Sequence, residues 1–391
     1  MGSCTSKSKH SETKVTQVTE PNEQKLEKLK TGNRNLKGEE KQVEIVPDAE
    51  ILKQLATEAN RFYRPKWRDL DRNALYLGNQ IEEIQEAYRE KSWKIEGDDT
   101  QKNYLYRSGI WAVCKKGLKS WMPNQDDFYI SIGKQSFVVG VFDGHGPLGH
   151  NVSHFVKLFL PKSILAHSKW HENPQRAIKK SFKNCEKSLA TGFPSSDLIF
   201  NWDISGTTSS FVYCDEAHLI VAHVGDSRVV MAKKINNELK AVPITTDHRP
   251  SEPREKARIE KRGGEILIQE GEIMERVYAK GKNYPGLAMS RSLGDKYAKE
   301  LGVTHKPDIE ILDISEEDEF ILVCSDGIWE FISDQEAVDL IGKYQDNLKL
   351  AVEKLANLAI IRWGFNESQY TDDITIVLAY IPKRNTDEED Y

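Results

Sequence analysis

Three apolar runs in this 391-residue chain end in an aspartate: VVGVFD at Asp143, IVAHVGD at Asp226 and FILVCSD at Asp326. The order is reversed once, where Asp372 and Asp373 precede the run ITIVLAYI, and Asp126 stands just before another short apolar stretch. The end of a strand is where a carboxylate can leave the core and face a cleft. In an antiparallel sheet the start of one strand lies beside the end of its neighbour, so all of these acids can share one rim. Taken singly, each is an ordinary turn residue, because Asp-Gly and Gly-Asp are common turn pairs. Taken together, several like charges on one rim repel unless something positive lies between them. A ligand set made only of oxygen, with no Cys or His, favours Mg2+ or Mn2+ over zinc or copper. Two such ions about 3.5–4 Å apart lower the pKa of a bridging water and present a hydroxide for in-line attack on phosphorus. His145, two residues after Asp143 in DGHG, is placed to return a proton to the leaving alkoxide, its ordinary pKa being about 6.5. Its bland reading is a surface histidine in a turn. Gly144 and Gly146 let the backbone come close to the ions, and the Gly144 carbonyl is itself a candidate oxygen ligand.

The elements that must position these residues are visible as pattern. Short apolar runs at Phe137–Phe142, Ser209–Tyr213, Leu219–Val224, Val229–Ala232, Phe320–Cys324 and Ile374–Ile381 read as strands. Helical spacing covers Asn151–Trp170, Pro174–Ala190, Asp334–Tyr344 and Asn347–Trp363, and in the second of these Ile178, Phe182, Cys185 and Leu189 fall on one face. Ser333 with Glu336 forms a capping box at the start of the third, and Gly364 is expected to stop the fourth. Strands in series with helices in separate blocks predict an α+β fold rather than a repeating βαβ unit. Upstream, residues 1–45 hold no aromatic residue and are expected to be a disordered arm. Residues 46–103 read as a helical extension, with Ile51, Leu55, Ala59 and Phe62 and later Leu75, Ile81, Ile84 and Tyr88 at helical spacing. The catalytic domain is expected over 104–382, followed by an acidic tail at 383–391.

Composition narrows the function. With 38% hydrophobic residues the chain can bury a substantial core, while a net charge of -6 opposes nonspecific binding to nucleic acid. No window approaches the roughly 18–20 apolar residues of a membrane-spanning helix, and no secretory signal opens the chain, so an intracellular protein is expected. The five cysteines are scattered and form no C-x-x-C pair, which points away from a disulfide framework or a zinc site. No G-x-x-x-x-G-K-[ST] or D-F-G segment is present, against a P-loop NTPase or a kinase.

In order along the chain, the segments VFDGHG, GTTSS, HVGDSR, DHRPSEPREKARIEKRGG, LAMSRSLGD, LVCSDGIWE and YTDDITIV resemble the metal-dependent type 2C (PPM) family of Ser/Thr protein phosphatases. The resemblance implies a central antiparallel β-sandwich flanked by helices in four layers, α/β/β/α, with a two-metal site at one edge. It implies that Asp143 bridges two Mg2+ or Mn2+ ions, that the Gly144 carbonyl binds one, and that Asp326 and Asp372 hold the other with Asp143. Asp126 would contact metal-bound water. A weaker third ion would sit near Asp226 and Glu330 with Asp326, Glu330 standing where many members have Asp. Gln125 replaces a Glu found in many members and keeps an oxygen that can accept from bound water. Many members have a phosphate-gripping Arg where this chain has Trp121, and Lys119 is the nearest basic substitute, a point charge rather than a fork. Its plain alternative is a solvated loop lysine. The stretch at about 247–294 matches the family's flap. Its basic residues Arg249, Arg254, Lys256, Arg258, Lys261 and Arg262 could steer acidic phosphopeptides, or form a salt-bridged surface helix with Glu252, Glu255 and Glu260. Ser290 to Asp295 is expected to shape a turn behind the site, with Asp295 structural rather than a ligand.

The opening MGSCTS fits the M-G-x-x-x-[ST] pattern for myristoylation at Gly2. Cys4 is within reach for palmitoylation, and Lys7 and Lys9 add positive charge, so the second signal that stable anchoring requires is present. The bland alternative is a free polar tail. The reading that follows is a phosphoserine and phosphothreonine phosphatase, a monomer acting on phosphorylated proteins at the cytoplasmic face of a membrane. The alternatives are an inactive relative that binds phosphoproteins through the same fold, and a two-metal phosphodiesterase.

Overall fold

The computed structural model describes residues 75–78 (backbone only), 108–119, 122–133, 135–191, 202–269, 274–367 and 370–383. The N-terminal arm with Gly2 and Cys4, most of the 46–103 segment, Trp121 and the tail beyond residue 383 lie outside them.

In chain order the elements begin with strands β1 (Leu75–Gly78), β2 (Ile110–Lys115), β3 (Asp126–Ile132) and β4 (Ser136–His145), then helices α1 (Gly149–Leu165) and α2 (Pro174–Thr191). Strands β5 (Gly206–Thr207), β6 (Ser209–Asp215), β7 (His218–Val224), β8 (Arg228–Ile235) and β9 (Glu238–Pro243) follow. Helix α3 (Pro253–Lys261) leads into β10 (Gly264–Leu267), β11 (Arg276–Ala279), β12 (Pro285–Leu287) and β13 (Leu293–Gly294). The chain closes with α4 (Lys296–Glu300), β14 (Asp308–Asp313), β15 (Asp318–Cys324), α5 (Asp326–Trp329), α6 (Asp334–Lys343), α7 (Leu348–Asn366) and β16 (Ile374–Tyr380).

Two antiparallel sheets stack face to face. One runs β1-β3-β4-β6-β7-β14, with β5 and β13 attached beyond β4, and the other runs β2-β16-β15-β8-β9. Between them lies a core that includes Phe128, Phe137, Val141, Met231, Val323 and Val377. Helices α1 and α2 cover the outer face of the first sheet through Val152, Phe155, Ile178 and Phe182. Helices α5, α6 and α7 cover the second through Ile328, Val338, Val352 and Leu355. This is the expected four-layer sandwich. Burial on both faces explains why β16 reads as the unbroken apolar run ITIVLAY instead of alternating, since all seven of its residues are buried. Strands β8 and β9 are joined by Asn236 and Asn237, both left-handed (φ 51° and 63°), the turn type that matches strand twist.

Three local expectations need correction. Residues 75–78 are not helical: they form a strand on the edge of β3, from Leu75 opposite Ile132 to Gly78 opposite Tyr129. The exposed edge of β3 offers unpaired main-chain groups, and a strand satisfies them where a helix cannot. Gly364 does not end its helix, which continues to Asn366. The Trp363 indole N–H donates to the Gly327 carbonyl at 2.8 Å and ties that last turn to the core, which outweighs the weak helix preference of one glycine. Helix α1 ends at Leu165 rather than near Trp170, whose ring packs edge-on to Tyr213 at 5.0 Å from a turn.

Only half of the expected capping box forms. The Ser333 hydroxyl accepts from the Glu336 N–H at 3.3 Å, while the Glu336 carboxylate pairs with Arg362 of α7 and joins the two helices. The flap region holds α3 and the three-stranded sheet β10-β11-β12 around Ile259, Val277 and Leu287. Of its cations, Arg258 is committed to structure, donating to Glu255 (2.5 Å) and to the Ser290 and Gly302 carbonyls (2.9 and 2.7 Å).

Candidate metal centre

Register brings the acids together. In the pairing of β3 with β4, Asp126 lies directly opposite Asp143, at the start of one strand and near the end of the other. Strand β7 ends two residues before Asp226, β15 ends two before Asp326, and Asp372 and Asp373 sit just ahead of β16. Because β15 and β16 are antiparallel, Asp326 and Asp372 meet at the same end of the second sheet. The rim expected from sequence therefore exists. One carboxylate oxygen each from Asp143, Asp226 and Asp326 lies within 4.8 Å of the others.

Neighbouring backbone holds this rim in place. The Asp143 N–H donates to the Thr208 hydroxyl at 3.0 Å, and the Thr208 N–H returns to the Asp143 carbonyl at 2.8 Å. Asp126 accepts from the Ser325 hydroxyl at 2.7 Å, which links the two sheets at the site. Gly144 has no room for a side chain: a Cβ there would lie 2.4 Å from the Gly149 carbonyl oxygen and 2.6 Å from that of Gln125. Gln125 is buried and donates from its side chain to the Gly146 carbonyl at 2.6 Å, so it braces the DGHG turn. The adjacent Asp pair divides its work. Asp373 accepts from the N–H of Gly117 (2.7 Å) and of Gln125 (2.9 Å). Asp372 faces Lys119, whose ammonium donates to it, and the Tyr370 hydroxyl at 3.2 Å.

The charges bear the cost of this crowding. Burial and then Asp126 push the Asp143 carboxyl well above its ordinary range, and burial and then Asp372 do the same to Asp326. Asp126 is pushed up to about 7 by burial and by Asp373, and Asp226 to about 6 by burial and by Asp247. Burial works against charge on Lys119, but Asp372 and then Asp373 outweigh it and hold the ammonium protonated. Oδ1 of Asp226 and Oδ1 of Asp326 are buried with no hydrogen-bond partner among the described residues. Buried acceptors of this kind, in an all-oxygen cluster short of positive charge, fit a hard divalent cation.

Glu330 reaches the same place, lining with Asp226, Asp326 and Arg249 a cavity of about 300 Å3 between the rim and the flap. Asp372 is close enough to raise its neighbours but is engaged by Lys119, so that lysine stands at the acidic edge rather than loose in solvent. Sequence reasoning gave Asp295 a structural part only, and the structure adds a contact. Asp295 Oδ2 lies 2.7 Å from His145 Nε2 and accepts from the Ser292 hydroxyl at 2.6 Å. Burial opposes ionisation of Asp295, but the His145 ring and its hydrogen bond hold the carboxyl below its ordinary range. An ionised Asp295 accepts from Nε2–H and leaves Nδ1, buried and unpartnered among the described residues, as the free ring nitrogen. No spacing signal announced this pair, which is 150 positions apart and rests on a left-handed Asp295 (φ 54°).

A β-sandwich with an acidic rim and a histidine beside it defines a class, the metal-dependent phosphoester hydrolases. The family model "Protein phosphatase 2C" matches residues 123–363. "Probable protein phosphatase 2C 65" of Arabidopsis thaliana is 34% identical over 264 residues, covering 63% of this chain and 68% of that protein. "Probable protein phosphatase 2C 72" of the same plant is 32% identical over 286 residues, covering 70% and 86%. Among solved structures, a serine-threonine phosphatase 2C from Toxoplasma gondii superposes with a TM-score of 0.62 at 19% identity, covering 79% of this chain and 99% of that one. The chain belongs to the protein phosphatase 2C family and is a metal-dependent protein serine/threonine phosphatase.

Two predictions follow from the electrostatics and the dyad. The raised carboxyls bind more protons folded than unfolded, so the stability they contribute is present at acid pH and lost as pH rises through about 6 and 7. Chelator-treated protein is therefore expected to melt at a lower temperature at about pH 8 than at about pH 5, and added Mn2+ to raise the melting temperature more at the higher pH. Calorimetry showing the opposite trend contradicts the assignment of these shifts. Asp295→Asn should lower kcat on a phosphothreonine peptide by about 10- to 100-fold, in line with loss of general acid catalysis. It should lower kcat much less on an aryl phosphate, whose phenolate leaves without a proton; equal losses on both substrates would assign Asp295 to folding alone.

Proposed function

We propose that Asp143, Asp326, Asp372 and the Gly144 carbonyl hold two divalent ions, Mg2+ or Mn2+, for the hydrolysis of phosphoserine and phosphothreonine in proteins. Asp226 and Glu330, with Asp326, would take a weaker third ion, and Asp126, opposite Asp143 across the strand pair, would contact metal-bound water. When bound, such ions offset the carboxylates and lower the pKa of the water they coordinate to about 7. The chain's own residues do the rest. Asp295 orients His145 through Nε2, so that Nδ1 is the ring position that hands a proton to the departing seryl or threonyl oxygen. Lys119, at the edge of the cluster beside Asp372, supplies the cation for the substrate phosphate. Gln125 and Gly144 keep the turn that presents Asp143 and His145 in a fixed shape. The observation that carries this reading is the convergence of Asp143, Asp226 and Asp326 with buried, unpartnered oxygens.

The N-terminal residues place this enzyme, in our reading, at the cytoplasmic face of a membrane, with myristate on Gly2 and palmitate on Cys4 holding a monomeric catalytic domain on a polar tether. Phosphorylated proteins are its partners, and nucleic acid is not.

Asp143→Ala and Asp326→Ala are each expected to abolish Mn2+-dependent turnover of a phosphothreonine peptide while circular dichroism stays unchanged. Wild-type turnover in both variants would refute the metal assignment. Gly2→Ala should move the protein from the membrane to the soluble fraction in cells, and an unchanged distribution rejects the lipid anchor.

A further inference from the structure

Helix α2 has two opposed faces. Ile178, Phe182, Cys185 and Leu189 are fully buried against the rest of the first sheet's outer layer. On the other side Arg176, Lys180, Lys183 and Lys187 recur at i, i+4, i+7 and i+11, a single stripe, with Lys179 beside it, and all five are exposed. None of the five makes an ion pair among the described residues. The carboxylate within the helix is turned away: Glu186 accepts from the Gly294 N–H at 3.1 Å and lies 3.7 Å from Lys299. Glu172, just before the helix, is taken by Lys169 at 2.6 Å. Burial and then Lys299, Lys306 and Lys183 hold His305 down to about 4, a sign of how little negative charge offsets the cations on this side. Such a concentration of cations runs against the composition of a chain whose net charge is -6.

We propose that this face of α2 docks on an anionic phospholipid surface. Charge complementarity is the first argument: uncompensated cations side by side attract a continuous sheet of anionic headgroups, each Lys or Arg adding about fivefold to partitioning. The second is what the groove along the stripe lacks. Its remaining lining is Asn173, Gln175 and Asn184, with no aromatic or apolar pocket of the kind that anchors a protein partner and no aromatic platform for bases. The preference for a membrane over an acidic peptide rests on the acylation reading of Gly2 and Cys4. Binding by the helix face itself does not, and it acts as a second, orienting contact that one acyl chain alone does not supply.

The test uses the full chain without acylation, so that no acyl chain contributes, and the stripe variants separate the helix face from the basic residues of the N-terminal arm. Vesicles of phosphatidylcholine with phosphatidylserine should pull down the protein, vesicles of phosphatidylcholine alone should not, and binding should fade as salt shortens the Debye length to about 3 Å at 1 M. Lys180→Glu/Lys183→Glu should reduce binding at least tenfold and leave turnover of a soluble phosphopeptide unchanged. Lys349→Glu, on the opposite layer, should bind like wild type. No binding by the unacylated chain, equal loss with Lys349→Glu, or a stripe-dependent affinity for a polyglutamate peptide or RNA but not for vesicles would overturn the proposal. Because acyl anchoring is read separately from Gly2→Ala in cells, either inference can fail without the other.

Discussion

Everything near the centre of this enzyme depends on holding together carboxylates that repel one another. Asp126 and Asp143 face each other across an antiparallel pair, a placement that ordinarily destabilises a sheet. Asp226 and Asp326 add two more acids in a space where burial already disfavours charge. The energy that holds them there comes from elsewhere. The apolar layer between the sheets and the two helix layers outside them fix the strand ends, and the acids must sit where those strands end. A divalent cation held there would convert that liability into binding energy, because it would relieve repulsion that folding stored.

The surrounding contacts sort the acids by role. Asp373 is spent on two backbone N–H groups and ties the loop at Gly117 to the turn at Gln125, while its neighbour Asp372 is left at the cluster's edge with a lysine. Asp295, also acidic and buried, is held below its ordinary range because its partner is a histidine rather than another carboxylate. Environment decides which carboxyl is ready for a metal, which is an orienter and which is structural. Residue type alone does not separate them.

Charge is segregated on a larger scale as well. Acids concentrate at the rim, and uncompensated cations concentrate along α2, on the outside of the layer that covers the first sheet. The two are joined through Glu186 and Gly294, since Gly294 donates to Glu186 on α2 and immediately precedes Asp295. A helix that carries a docking face therefore also braces the segment that orients His145.

Much of the fold and the rim was legible from sequence. Short apolar runs marked the strands, helical spacing marked α2 with its buried face, and strand-terminal aspartates marked Asp143, Asp226 and Asp326, because these are local consequences of what must be buried and what must leave the core. Other features depended on distant partners. The strand at Leu75–Gly78 exists because β3 offers an edge, the Glu336 side chain left its cap for Arg362, and helix α7 ran past Gly364 because Trp363 is anchored to Gly327. The amino-acid order by itself determined which residue types could meet at a cation-binding rim. Only the tertiary structure decided that Asp295 would reach His145 and that Lys119 would lie against Asp372. Such contacts join positions 150 and 253 apart, and no periodicity of a single chain encodes which remote side chains its sheets will bring within a few ångströms.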